Sequence, residues 1–110
     1  MATNKKIRLS FEGKEYTLEF SKNTVRAMQA NGFDISKLDV FPNLVIPDLF
    51  AGAFRKNHPF IKNDVLENIY GSIRNKDELI RTLGEMYNEP ALGLFEEPED
   101  DTKNVEWTVD

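Results

Sequence analysis

Residues 7–20 read IRLSFEGKEYTLEF, and apolar and polar side chains alternate on both sides of a glycine. Successive side chains of a β-strand point to opposite faces, so this alternation gathers each set of apolar residues on one face. These sets are Ile7, Leu9 and Phe11, then Tyr16, Leu18 and Phe20. Gly13-Lys14 supplies a residue that tolerates positive φ, as a two-residue turn requires. The stretch predicts a β-hairpin, which must pack on helices because an isolated hairpin is only marginally stable.

Two helices are predicted directly after the hairpin. Ser21 is a good N-cap for the first helix, and Asn31-Gly32 is a strong signal for its end. The second helix is predicted to hold Pro47 in its first turn and to end near Asn57-His58, because Pro59 follows. Helical spacing places four apolar residues of this second helix on one face: Leu49, Phe50, Ala53 and Phe54.

Two further helices complete the predicted body of the protein. The third is predicted from about Asn63, and the fourth opens at Asn75, which has the spacing of a capping box with Glu78. Pro90 is predicted to end the fourth helix or to begin a short further turn. We therefore predict an α+β fold in which an N-terminal β-hairpin packs against about four α-helices, forming one globular domain over residues 1–95.

Residues 96–110 differ from the body in composition. They hold seven acidic residues and one lysine, a net charge of -6, whereas the whole chain carries -5. Such a stretch is predicted to be a flexible, disordered acidic tail. Within it Val105, Trp107 and Val109 alternate with polar residues, as in a short strand. Three interpretations remain open: a frayed end, a strand that folds back on the hairpin edge, or a peptide that adds a strand to a partner with Trp107 as its anchor.

The composition argues against an enzyme and against most cofactors. The chain has no cysteine and a single histidine, His58, so thiolate metal sites and His-based catalytic pairs are disfavoured, and His58 is predicted to be a surface or capping residue. No Gly-rich phosphate loop is present. The nearly neutral body and acidic tail also disfavour nucleic acid as a partner. No apolar run approaches the ~20 residues that cross a bilayer, and no signal peptide opens the chain, so we expect a cytoplasmic protein.

The remaining chemistry is that of an interaction module. A hairpin packed on helices has few ways to hide every aromatic side chain, so some members of the second helix are expected to be exposed. The candidate partner-binding residues are Leu49, Phe50 and Phe54 of that helix, together with Val105, Trp107 and Val109 of the tail.

Three stretches resemble a known family: KEYTLEFSKNTVRAMQANGF (residues 14–33), LFAGAFRKNH (residues 49–58) and the tail from Phe95 through Glu106-Trp107-Thr108. The sequence is similar to the small tail assembly chaperones of long-tailed, siphovirus-type phages and prophages of Gram-positive bacteria. The resemblance implies a protein that binds the tape measure protein in the host cytoplasm, keeps it soluble during tail tube assembly, and is absent from the mature virion. It also implies self-association along that client, and contact with the major tail tube protein through a longer, frameshifted form.

Two alternatives belong to other functional classes. One is a structural tail or head-completion component that remains in the virion. The other is a small regulatory protein that acts through its acidic tail, although one Trp-containing segment of modest charge is a poor mimic of nucleic acid.

Overall fold

The computed structural model describes residues 5–93 and 106–109, with side chains assigned for residues 5–90 and 106–109. An antiparallel hairpin is followed by four α-helices, so the predicted α+β fold is confirmed. A short 3-10 turn, Ile35–Lys37, separates the first two helices. The elements are β1 (Ile7–Phe11), β2 (Lys14–Leu18), α1 (Lys22–Ala30), α2 (Pro42–Phe54), α3 (Asn63–Ser72) and α4 (Lys76–Gly93).

Leu9 lies opposite Tyr16 and Arg8 lies opposite Thr17 in the hairpin, so the apolar side chains of the two strands share one face, as their alternation predicts. Its turn lies one residue earlier than predicted: Glu12 and Gly13, not Gly13 and Lys14, have positive φ, at 50° and 78°. Two consecutive positive φ values are typical of the type I′ turn, whose twist matches that of the strands. Glycine adopts this conformation without steric cost, whereas Glu12 does not, so the turn carries a small local strain.

Helix α1 begins and ends where the sequence predicts. The Ser21 side chain accepts a hydrogen bond from the Thr24 backbone N–H at 3.1 Å, which makes Ser21 the N-cap. At the other end, Gly32 N–H donates to the Gln29 carbonyl and Phe33 N–H donates to the Met28 carbonyl, both at 3.0 Å. This pair of bonds is the Schellman motif, which satisfies carbonyls that the helix end leaves free.

Helix α2 is longer at its start than the sequence analysis predicts. It begins at Pro42 and runs to Phe54, so Pro47 lies inside the helix and its placement in the first turn is wrong. Pro42 takes the early position where a missing N–H costs nothing. The helix also ends before the predicted Asn57-His58, and a turn over residues 55–57 follows it.

Helix α4 begins as predicted and continues further. Asn75 precedes it with φ of 58°, a left-handed conformation that does not suit the N-cap of a capping box, and Glu78 pairs instead with Arg81 at 3.1 Å. The predicted capping box is therefore wrong. Pro90 lies inside the helix, which reaches Gly93, so the expectation that Pro90 ends it is also wrong. Leu94 and Phe95 lie outside the described residues.

The core lies between β2 and the four helices, and α2 is its central element, in contact with β2, α1 and α4. A Cβ added at Gly52 of α2 would lie 2.5 Å from the Met28 sulfur of α1, so glycine lets the two helices approach closely. The fully buried large side chains are Leu18, Leu49, Phe54, Ile69, Leu83 and Met86.

Candidate partner-binding surfaces

The structure places the three candidate residues of α2 in the core. Leu49 and Phe54 are fully buried and Phe50 is 3% exposed. The Phe50 ring packs edge-on against Phe54 and Tyr70, with centroids 5.0 and 5.1 Å apart. The expectation that these side chains are exposed is wrong, because the face they form is the one that closes over β2, α3 and α4.

Exposed large apolar side chains cluster around the start of α2. Val40, Phe41 and Leu44, which we call the α2 entry patch, are 69%, 50% and 68% exposed. Phe41 occupies the N-cap position of the helix without making a side-chain capping bond. An N-cap is ordinarily Ser, Thr, Asp or Asn, so an apolar residue there is not explained by helix stability.

Sequence reasoning missed the α2 entry patch because it placed the start of the second helix at Pro47, and so left Val40, Phe41 and Leu44 outside the helix. One signal could have found it. Pro42 is followed by the apolar run Leu44-Val45-Ile46, and proline favours the first helical position. Choosing Pro42 over Pro47 as the start of the helix puts Val45 inward and Leu44 outward.

A groove of about 610 Å³ lies between α2 and α3. Pro47 and Ala51 of α2 line it. Leu44 precedes these residues by three and seven positions, and residues at these spacings lie on one face of a helix, so Leu44 lies on the face that lines the groove. The patch and the groove therefore form one surface along α2, which we call the α2 band. The groove rim carries charges of both signs: Asp48, Arg55 and Glu67.

The tail residues that the structure describes are open to solvent. Trp107 is 80% and Val109 is 85% exposed, and residues 106–109 have no regular secondary structure. Val105 lies outside the described residues, as do residues 94–104 and Asp110. Of the candidate partner-binding residues that the structure describes, the three on α2 are buried, whereas Trp107 and Val109 are exposed.

Polar contacts join the hairpin to the end of α2. The Glu19 carboxylate, 4% exposed, accepts hydrogen bonds from Asn57 Nδ2 at 2.9 Å and from Lys56 Nζ at 3.1 Å. The Glu19 backbone N–H also donates to the Ala53 carbonyl at 2.9 Å. The Asn57 bond, followed by the bond and charge of Lys56, holds the pKa of Glu19 below its ordinary value although burial opposes this.

His58 is half-buried in the same junction. Its Nε2 accepts a hydrogen bond from the Thr17 backbone N–H at 3.0 Å. The ring packs against Tyr16 with centroids 5.1 Å apart. His58 is thus a capping residue, as predicted, but it caps the edge of a strand and not a helix.

The described residues hold no group of three His, Asp or Glu side chains placed to bind a metal ion. None of the helices within residues 5–93 has the length and apolar character needed to cross a membrane. The arrangement offers apolar surface for a protein partner, along the α2 band and around Trp107.

Comparison with proteins of curated function and with solved structures gives no match. A family comparison matches the whole length, residues 1–110, and the chain belongs to the family described as Domain of unknown function (DUF5055).

Proposed function

We propose that this protein is a tail assembly chaperone of a long-tailed phage or prophage, which binds the tape measure protein in the host cytoplasm and keeps it soluble while the tail tube assembles. The observation that supports the proposal most directly is the α2 band, an apolar surface that runs from Val40 to Ala51. The resemblance of residues 14–33, 49–58 and the tail to this class of chaperones supports it independently.

The α2 band suits an amphipathic helix. A helical partner presents apolar anchors at spacings of three, four and seven residues, and such anchors enter grooves between two helices. The α2 entry patch would receive the first anchors, and the groove between α2 and α3 the following ones. The tape measure protein is a long helical client, so many copies of the chaperone could use the same contact repeatedly along it.

The charged rim fits reversible binding. Asp48, Arg55 and Glu67 surround the apolar groove floor, and rim charges mainly affect the association rate and the choice of partner. A chaperone must release its client when the tube subunits arrive, so an apolar centre with a polar rim is better suited than a wholly apolar contact. Recruitment of the tail tube protein through a frameshifted form remains an implication of the resemblance.

The test is coexpression with the tape measure protein encoded in the same phage or prophage. We expect the client to become soluble and to copurify with several copies of the chaperone. A client that is equally insoluble with and without this chain, with no complex formed, would contradict the proposal. Mass spectrometry of purified particles then separates the classes, because a chaperone is absent from virions and a structural tail or head-completion protein is present.

Leu44→Asp tests the α2 band itself. Leu44 is exposed in the first turn of α2, where a carboxylate interacts favourably with the helix dipole, so the fold should be retained. Loss of an apolar anchor at the centre of an interface typically costs about 2 kcal/mol or more, so we expect client recovery to fall at least ~tenfold.

The matched control is Phe60→Asp, which places the same charge on a side chain that is 93% exposed beyond the other end of α2. Both variants should show the wild-type helical signal by circular dichroism. The α2 band would be ruled out if Leu44→Asp and Phe60→Asp recovered the client equally well.

A further inference from the structure

The two edges of the hairpin are not equivalent. The outer edge of β2 is occupied, because Thr17 N–H donates to His58 Nε2, the Thr17 carbonyl accepts from Asn57 Nδ2 at 3.2 Å, and Glu19 N–H donates to Ala53. The outer edge of β1 has no hydrogen-bond partner among the described residues. An unpaired strand edge is a template for another strand.

The register identifies which groups of β1 face outward. Thr17 directs its N–H and carbonyl away from β1, and Arg8 lies directly opposite it. Arg8 and Thr17 are therefore a pair that makes no hydrogen bond with each other. In an antiparallel hairpin such pairs alternate with hydrogen-bonded pairs, so the backbone N–H and carbonyl groups of Arg8 and Ser10 face outward. The side chains of Lys6, Arg8 and Ser10 are exposed and leave this edge open.

The apolar face of β1 is incompletely covered. Tyr16 and Leu18 of β2 are buried, whereas Ile7, Leu9 and Phe11 of β1 are only half-buried. A strand added beside β1 would extend the same apolar face and remove more of these three side chains from water, which stabilises the pairing.

The Trp107 segment, residues 105–109, has the complementary pattern. Val105, Trp107 and Val109 alternate with Glu106 and Thr108, just as Ile7, Leu9 and Phe11 alternate with Arg8 and Ser10. Both stretches are five residues long. Side-by-side pairing places the apolar trios on one face and the polar residues on the other, in either strand direction.

Charge favours the same pairing. Lys6 and Arg8 lie on the polar face of β1, and Glu106 would lie on the polar face of the added strand. Residues 96–110 as a whole carry a net charge of -6. Opposite charges that face each other across neighbouring strands stabilise the pairing.

We propose that the Trp107 segment of one copy adds as a third strand to the outer edge of β1 in a second copy of this protein. A second copy is favoured because residues 106–109 of the isolated chain are exposed and form no strand with any other described residue. The contact joins two different surfaces, the Trp107 segment of one copy and the β1 edge of another. It therefore links copies in an open series, unless two copies exchange their segments and form a closed dimer. It does not depend on the tape measure protein, and its failure would leave the proposed function standing.

Trp107 is the only tryptophan of the chain, so its fluorescence reports on the Trp107 segment alone. We expect the emission maximum of the full-length protein to move to shorter wavelength as concentration rises, together with an increase in mass by sedimentation velocity. A monomer with solvent-like emission at all concentrations would overturn the proposal. A monomer with concentration-independent, short-wavelength emission would also overturn it, because the segment would then lie on its own body.

Two variants isolate the two halves of the contact. Trp107→Ala removes the anchor, and Arg8→Pro blocks the edge, since the Arg8 N–H is not needed within the hairpin and edge strands tolerate proline. Each variant alone should self-associate about tenfold to a hundredfold more weakly than wild type. Mixing them should restore a complex, because the Trp107 segment of the Arg8→Pro copy can add to the intact β1 edge of the Trp107→Ala copy.

The mixture therefore gives a sharp outcome: Trp107 of the Arg8→Pro copy docks on the intact edge of the Trp107→Ala copy, and its emission shifts to shorter wavelength only on mixing. Arg8→Glu is a second edge variant that keeps the hairpin backbone intact, and Arg26→Glu on exposed α1 surface is the charge-matched control. No shift on mixing, or equal weakening by Arg8→Glu and Arg26→Glu, would assign the association to another surface.

Discussion

At the scale of single residues, the most informative position is Glu19. A buried carboxylate is costly unless it is fully hydrogen-bonded, and Glu19 meets this requirement through Asn57 and Lys56 from the turn after α2. Its backbone N–H bonds to Ala53 in the same region. One residue at the end of the hairpin thus fixes the position of β2 relative to α2.

Glu19→Gln should lower the free energy of unfolding by about 1–2 kcal/mol at neutral pH, because bonds to a charged acceptor are the stronger ones. The pKa of Glu19 is lowered in the folded state, so its contribution is present above the unfolded value of 4.5 and is lost as pH falls through the folded value. The stability difference between wild type and variant, measured by urea unfolding, should therefore shrink below about pH 4.5. A difference that stays constant into acid would contradict this role for the charge.

At the scale of elements, α2 shows a conflict between its sequence and its structure. Pro47 lies in the helix interior and has no N–H to donate to the Asn43 carbonyl. Pro47 also lines the groove between α2 and α3. The helix forms nevertheless because its inward face supplies much of the core, including Leu49, Ala53 and Phe54.

Pro47→Ala should raise the free energy of unfolding by about 1 kcal/mol, since the regained hydrogen bond exceeds the added flexibility of the unfolded chain. Pro42→Ala is the matched control: its N–H has no helical partner at that position, so no gain is expected. Urea unfolding followed by circular dichroism measures both. Equal effects of the two substitutions would mean that Pro47 does not strain the helix.

At the scale of the whole molecule, the hairpin and the helices share one core. Tyr16 and Leu18 of β2 are buried in it, and the hairpin alone would be marginal in water. We therefore expect a single unfolding transition, in which amide signals of Leu9 and Thr17 disappear at the same urea concentration as those of α2 and α4 in NMR spectra. Earlier loss of the hairpin signals would show that it is a separate cooperative unit.

The features that could be predicted from the sequence are those with a local cause. Strict alternation predicted the two strands of the hairpin and the face of each apolar set, and Ser21 and Gly32 predicted the limits of α1. These features depend on side-chain periodicity, capping bonds and backbone freedom within a few residues. They can therefore be predicted without knowledge of tertiary contacts.

Which apolar residues are exposed, and whether a helix continues past a proline, depend on tertiary packing. Leu49, Phe50 and Phe54 have the same character as Val40, Phe41 and Leu44, yet the first three are buried and the second three are exposed. Burial is set by what packs against a face, and for α2 that is β2, α1, α3 and α4, which are distant in sequence. The same packing explains why α2 continues through Pro47: burial of its inward face outweighs one missing hydrogen bond.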